Sequence, residues 1–127
     1  MLAKTRHIST GRMPQQEVLN AEIEHLGEIW DMMIDIDTGR VAYAVLSFGG
    51  GFMGMGNKLF AVPWQKLHLL KPDSRHEGHL DRKFILNVPK DQLENAPGFD
   101  RDNWPDLEDL DWLQNVYAYY GCDPYWI

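Results

Sequence analysis

Residues 46–64 read LSFGGGFMGMGNKLFAVPW, and the fold turns on how this run is read. Gly49, Gly51 and Gly54 fit G-x-G-x-x-G and follow an apolar stretch, VAYAVLSF. A dinucleotide fingerprint must open a helix whose N-terminus holds the pyrophosphate, with an acid about 20 residues on. Here Met55-Gly56-Asn57-Lys58 leads instead into LFAVPW, which is β-branched, aromatic and ends on a proline, and no acid occurs between Gly49 and Asp73. The run after the glycines is therefore a strand, and the glycines belong to a hairpin connection. Phe52, Met53 and Met55 are placed at its tip or folded back over the body of the domain.

Arg40 to Phe48 reads as the partner strand. Val41, Tyr43 and Val45 fall on one face and Ala42, Ala44 and Leu46 on the other, so both faces are apolar. A strand of that kind is covered on both sides. Upstream, Glu17 to Leu26 suits a strand and a turn, and Glu28 to Ile36 alternates imperfectly, as a half-buried strand with a bulge does. Asp35-Ile36-Asp37-Thr38-Gly39-Arg40 invites a calcium reading. However, an EF-hand loop counted from Asp35 needs glycine at position six and glutamate at twelve, where Arg40 and Leu46 stand. Asp37-Thr38-Gly39 suits a short hairpin loop, with Gly39 at positive φ. Lys83 to Val88 is a further strand, and Lys90 to Ala96 a short helix or turn stopped by Pro97-Gly98. Several short strands without intervening helices predict a small antiparallel β-barrel.

At 127 residues the chain is one domain with an elaborated end, large enough to hold a core without staples. Its single cysteine, Cys122, rules out an internal disulfide and fits a reducing compartment. The start, MLAKTRHISTGRMPQQ, has no apolar centre for a signal peptide. The longest uncharged stretch, Val41 to Gly56, has sixteen residues and five glycines, short of the ~20 apolar residues that a spanning helix needs. The expectation is a cytoplasmic protein without an integral membrane segment. We divide it into an N-terminal arm (1–16), a barrel domain (17–99) and an acidic, aromatic-rich extension (100–127).

The net charge of −7 is concentrated in that extension. Residues 1–99 hold 12 acids and 11 bases; residues 100–127 hold seven acids and one base, Arg101. An acidic end repels phosphate backbones and argues against nucleic-acid binding. Within it, Leu107, Leu110, Leu113, Val116, Tyr117 and Tyr120 recur at helical steps from Asp106 to Tyr120, with Asp106 as the cap and Gly121 as the stop. Eight of the fifteen aromatic residues lie in 99–127. Such a surface does not stay in water as a loose tail; it packs on the barrel or on a second subunit.

The runs Leu26-Gly27-Glu28-Ile29, Asp35 to Gly50 (DIDTGRVAYAVLSFGG) and Phe60-Ala61-Val62-Pro63-Trp64 together resemble the PRC-barrel family. That family is named for the cytoplasmic domain of the photosynthetic reaction centre H subunit. Asn95-Ala96-Pro97-Gly98-Phe99, Tyr119-Tyr120-Gly121 and Pro124-Tyr125-Trp126 are similar to the ends of stand-alone bacterial members, so that the resemblance spans about residues 17–127. It implies a small, strongly bent antiparallel barrel carrying a short helix and a C-terminal amphipathic helix. It carries no catalytic motif. Family barrels cap the quinone side of a reaction centre, or contribute to binding a ribosomal protein in a ribosome maturation factor. The extra residues of Gly51-Phe52-Met53-Gly54-Met55 alter the usual hairpin.

No enzyme is expected. Cys122, Ser9, Ser47 and Ser74 lack a local base or nucleophile elbow, and His7, His25 and His68 are scattered. His76 and His79 lack the spacing and the third ligand of a metal site. No cofactor and no metal is expected. The surplus of aromatic and methionine residues points to a self-associating protein–protein interaction or scaffold module, with Trp30, Phe52, Met53, Met55, Trp112, Tyr119 and Trp126 as the candidate surface. The alternative is an accessory factor peripherally associated with a photosynthetic or respiratory membrane complex.

Overall fold

The hairpin that the sequence places at Asp37-Thr38-Gly39 is the spine of the structure. In the computed structural model, which describes residues 9–12, 14, 16–48, 58–70, 83–106 and 108–126, strand β2 (His25–Asp35) turns there into strand β3 (Arg40–Phe48). Gly39 has φ of 78° and its amide donates to the Asp35 carbonyl at 2.8 Å. Asp35 Oδ1 accepts from the Asp37 and Thr38 amides at 3.0 and 3.3 Å, so the turn satisfies its own donors. The remaining strands are β1 (Glu17–Leu19), β4 (Lys58–Pro63), β5 (Leu67–Leu69), β6 (Lys83–Leu86) and β7 (Gly98–Asp100). Two helices, α1 (Lys90–Glu94) and α2 (Leu110–Tyr119), follow β6 and β7 respectively.

The seven strands form one sheet in the order β5-β6-β1-β2-β3-β4-β7. The expectation of an all-antiparallel barrel needs one correction: β1 runs parallel to β6, pairing Val18 with Phe84, while the other pairings are antiparallel. Parallel neighbours need a long crossover, and here everything from β2 to β5 intervenes. Adjacency in sequence could not reveal that pairing.

The sheet must curl. β4 ends at Pro63 and β5 begins at Leu67, after one 3₁₀ turn, Trp64–Lys66. The four Cα–Cα steps from Pro63 to Leu67 reach at most ~14 Å. In a flat sheet β4 and β5 would lie five strand spacings apart in the observed order, about 24 Å at ~4.8 Å each. Only a strongly bent sheet brings them within reach. The Trp64 and Phe84 rings agree with it: Trp64 directly follows β4, Phe84 lies on β6 four places away in the order, and their centroids are 6.0 Å apart. The barrel is thus joined by a chain corner rather than by a closing ladder, since no pairing among the described residues links β5 to β4 or β7.

Both faces of β3 are buried, as its alternation requires. Ala44 and Leu46 pair with Val62 and Phe60 of β4, and all four belong to the core. On the other face Tyr43 meets Trp112 of α2 edge-on, with ring centroids 5.6 Å apart. The core also takes Val18, Leu26, Ile29, Phe84, Leu86 and Leu93.

The N-terminal segment shows a 3₁₀ turn at Thr10–Arg12, and the Gln16 carbonyl accepts from Ile29 at 2.9 Å. The glycine run 49–51, Gly54, Phe52, Met53 and Met55, and His76 and His79 lie outside the described residues. Strands β5 and β7 have three residues each, too few for a period to be read. The helix starts later than the sequence suggested. Asp106 accepts from the Glu108 amide in a turn of its own, and Asp109 is the cap, receiving the Trp112 amide at 3.2 Å.

Gly98 of β7 has no room for a side chain. A Cβ there would stand 2.9 Å from the Leu59 carbonyl oxygen and 3.0 Å from the Phe60 ring. Gly98→Ala should lower unfolding free energy by about 1–3 kcal/mol, the usual cost of overpacking. Chemical denaturation measures it, and an unchanged midpoint would contradict this account of β7.

Candidate interaction surface

Strand β2 and the turn after it carry three exposed large apolar residues; Ile23, Leu70 and Leu110 are exposed elsewhere. In its register with β3, Ile29 faces Leu46 and Asp31 faces Val45, so Trp30 is passed over at a bulge. Its neighbour Ile29 is buried, but Trp30 is 42% exposed. Ile34, further along β2, is 44% exposed, and Ile36 in the following turn 91%. The Arg101 guanidinium, from the segment after β7, lies 4.3 Å from the Trp30 ring centroid. β7 and β2 are three places apart in the strand order, and the curl of the sheet brings this stack together. Arginine over an indole is an attractive pair that holds both groups at the surface. A partly exposed tryptophan beside arginine is also the composition enriched at interface hot spots.

The C-terminal aromatics are arranged differently. Helix α2 ends in a Schellman motif: Gly121 has φ of 69°, its amide bonds the Ala118 carbonyl, and the Cys122 amide bonds Tyr117 at 2.9 Å. That reversal lays Tyr125 and Trp126 back on Tyr117, with centroids at 6.3 and 4.9 Å. Tyr117 in turn is buried, and its hydroxyl donates to the Ala42 carbonyl at 2.5 Å. Ala42 is the β3 residue skipped in the register, between Met33–Tyr43 and Ile34–Val41. A bulge leaves a backbone group without a strand partner, and Tyr117 supplies one from across the domain. Burial pushes the Tyr117 and Tyr43 phenols up to about 12, so both remain donors at neutral pH.

Tyr125 closes the arrangement on the hairpin. Its hydroxyl donates to Asp35 Oδ2 at 2.7 Å, and Arg40 lies 5.9 Å from its ring centroid. That hydrogen bond, with the Asp37 and Thr38 amides, holds the Asp35 carboxyl below its ordinary value.

Of the residues singled out in the sequence, Trp30 is at the surface. Trp112 lies against Tyr43 and Phe99, with centroids 5.6 and 6.2 Å away. Tyr119 donates to the Gln92 carbonyl at 2.6 Å, and Trp126 packs between Tyr117 and Tyr125. Ile34, Ile36 and Arg101 were missed. Alternation marked Ile34 as one of several interchangeable strand positions, and no local pattern places Arg101 over Trp30.

Among the described residues, two other chemically capable groups have structural surroundings of their own. Burial pushes the Cys122 thiol up, the opposite of what a thiolate nucleophile needs. His25 Nδ1 is 2.7 Å from Glu17 and Lys83 Nζ 3.2 Å, pairs that hold the Glu17 carboxyl below its usual value and tie β1 to both neighbours. Among the described residues no group of three or more His, Cys, Asp or Glu side chains is arranged to hold a metal ion. No described helix is long and apolar enough to cross a membrane.

Tyr117→Phe should lower stability by about 1–3 kcal/mol, because it leaves a buried carbonyl unpaired; equal denaturation midpoints would contradict that role. The Asp35 bond is pH-linked. A carboxyl with a lowered folded-state value contributes stability that is present above its unfolded value of about 3.9 and lost as pH falls through the folded one. Tyr125→Phe should therefore be less stable than the wild type at neutral pH. The gap should narrow below about pH 4, which melting curves at several pH values will show.

A search of curated proteins finds no match. A protein-family model described as PRC-barrel domain matches residues 14–93. That match spans β1 to α1, the curled sheet apart from β7, and the chain belongs to the PRC-barrel domain family.

Proposed function

We propose that this chain is a non-catalytic protein-interaction module that docks its partner on the outer ridge of β2 formed by Trp30, Ile34 and Ile36. PRC-barrel domains are small modules that often serve protein interaction. The observation that carries the reading is the exposure of these three large apolar residues, at a bulge, a strand end and a turn. A chain that buries Tyr117, Tyr120 and Tyr43 has the means to bury a tryptophan. Trp30 instead stands outside with a guanidinium across its face. The self-association expected from the sequence is one form of this reading, with a second copy as the partner.

A photo-crosslinking amino acid at Ile36, introduced into the chain in its host cells, tests it. A discrete adduct that disappears in the Trp30→Ala background is the expected result, and an adduct at twice the chain's own mass identifies a second copy. Irradiation that yields no adduct would remove the ridge as a docking site.

A further inference from the structure

Two acid-rich segments of this chain meet at the ridge through Arg101 and Trp30. Residues 25–40 and 100–111 together hold ten carboxylates against Arg40 and Arg101, while the rest of the chain holds nine acids and ten bases. The fold brings the two segments together. Arg101 stacks on Trp30, and Trp112 in the first turn of α2 lies against Tyr43, the cross-strand partner of Met33. Glu28, Asp31 and Asp37 are exposed from the β2 side, and Asp102 and Asp111 from the other, while Asp100 faces Lys58 across the β4–β7 pair. Both arginines are engaged with rings of the chain itself, Arg101 over Trp30 and Arg40 over Tyr125. Asp31 is close enough to Tyr43 to add to the rise of its phenol.

An apolar ridge framed by carboxylates selects its occupant by charge. In a two-fold dimer the same patch meets itself, so a second copy seated on the ridge would face acid with acid. Like charges across an interface act against association. Phosphate-bearing surfaces are repelled for the same reason. We infer that the ridge of Trp30, Ile34 and Ile36 docks a cationic amphipathic segment of another protein, with apolar side chains against the ridge and lysines or arginines against Glu28, Asp31, Asp37 and the acids of 100–111. This rests on the ridge being the docking face, and goes beyond it by naming the partner's chemistry.

Fluorescence anisotropy of labelled peptides titrated with the full chain tests the inference. The probes are a short amphipathic lysine/leucine peptide, a lysine/serine peptide of equal charge and a glutamate/leucine peptide. The lysine/leucine peptide should bind best, and more weakly as salt is raised. Trp30→Ala with Ile36→Ser should weaken it by about tenfold or more, as loss of a hot spot does. Glu28→Gln with Asp31→Asn should weaken it several-fold. Ile36→Ser alone removes a residue that is 91% exposed, so it serves as the variant that keeps its fold.

The inference is overturned if the lysine/leucine peptide does not bind, if the lysine/serine or glutamate/leucine peptide binds as well, or if the Ile36→Ser variant binds it unchanged. Crosslinking at Ile36 separates the two levels. An adduct with an acidic partner or a second copy leaves the docking ridge standing and removes the cationic partner. Absence of any adduct removes both.

Discussion

Three residues between β4 and β5, Trp64–Lys66, set the shape of this protein. Strands that a flat sheet would hold about 24 Å apart are joined by a single 3₁₀ turn, Trp64–Lys66, so the sheet has to bend until its distant strands meet. The bend decides what each strand can do with its side chains. Ala44, Leu46, Phe60 and Val62 gather in the core, while Tyr43 on the opposite face of β3 needs a cover from elsewhere. The cover is α2, through Trp112. Burying a large apolar side chain stabilises by roughly 1.5–3 kcal/mol, so leaving one face of β3 in water would forfeit several such contributions.

The aromatic C-terminus is part of that solution. β7 adds to the sheet at Leu59 and Phe60, α2 lies over it, and the Schellman turn sends Tyr125 back to the β2–β3 hairpin. Two irregularities in the sheet are resolved differently. The β3 bulge at Ala42 receives the Tyr117 hydroxyl and becomes an internal joint. The β2 bulge at Trp30 receives the Arg101 guanidinium and remains at the surface. The same kind of backbone defect is thus turned inward in one place and outward in the other.

Much of this was legible in the sequence. The doubly apolar run Val41 to Leu46 demanded cover on both faces, Gly39 marked the hairpin, and the β-branched and aromatic run from Lys58 marked β4. The limits were also physical. A parallel pairing between β1 and β6 depends on strands distant in sequence, and three-residue strands carry no period. Asp106 and Asp109 are equally good caps on paper; tertiary placement of Trp112 accompanies the choice of the later one. The ridge was half legible. Trp30 stood out by residue type, but Ile34 and Ile36 gain meaning only from exposure, and Arg101 only from the curl that carries it to β2.

The acid frame shows how sequence and fold divide the work. Composition alone reveals that carboxylates crowd residues 100–111 and can be read as solubilising an oily tail. Folding shows that the tail's rings are occupied by the domain itself, and it sets Arg101, which lies among those acids in sequence, over Trp30 of another strand.

The bend is tested most directly by nuclear Overhauser effects between the Trp64 and Phe84 rings in the isotopically labelled chain. Ring centroids 6.0 Å apart predict strong cross-peaks between the two side chains, alongside the β1–β6 and β3–β4 backbone contacts. Intact strand pairing without any Trp64–Phe84 cross-peak would mean an open sheet, and would contradict the account.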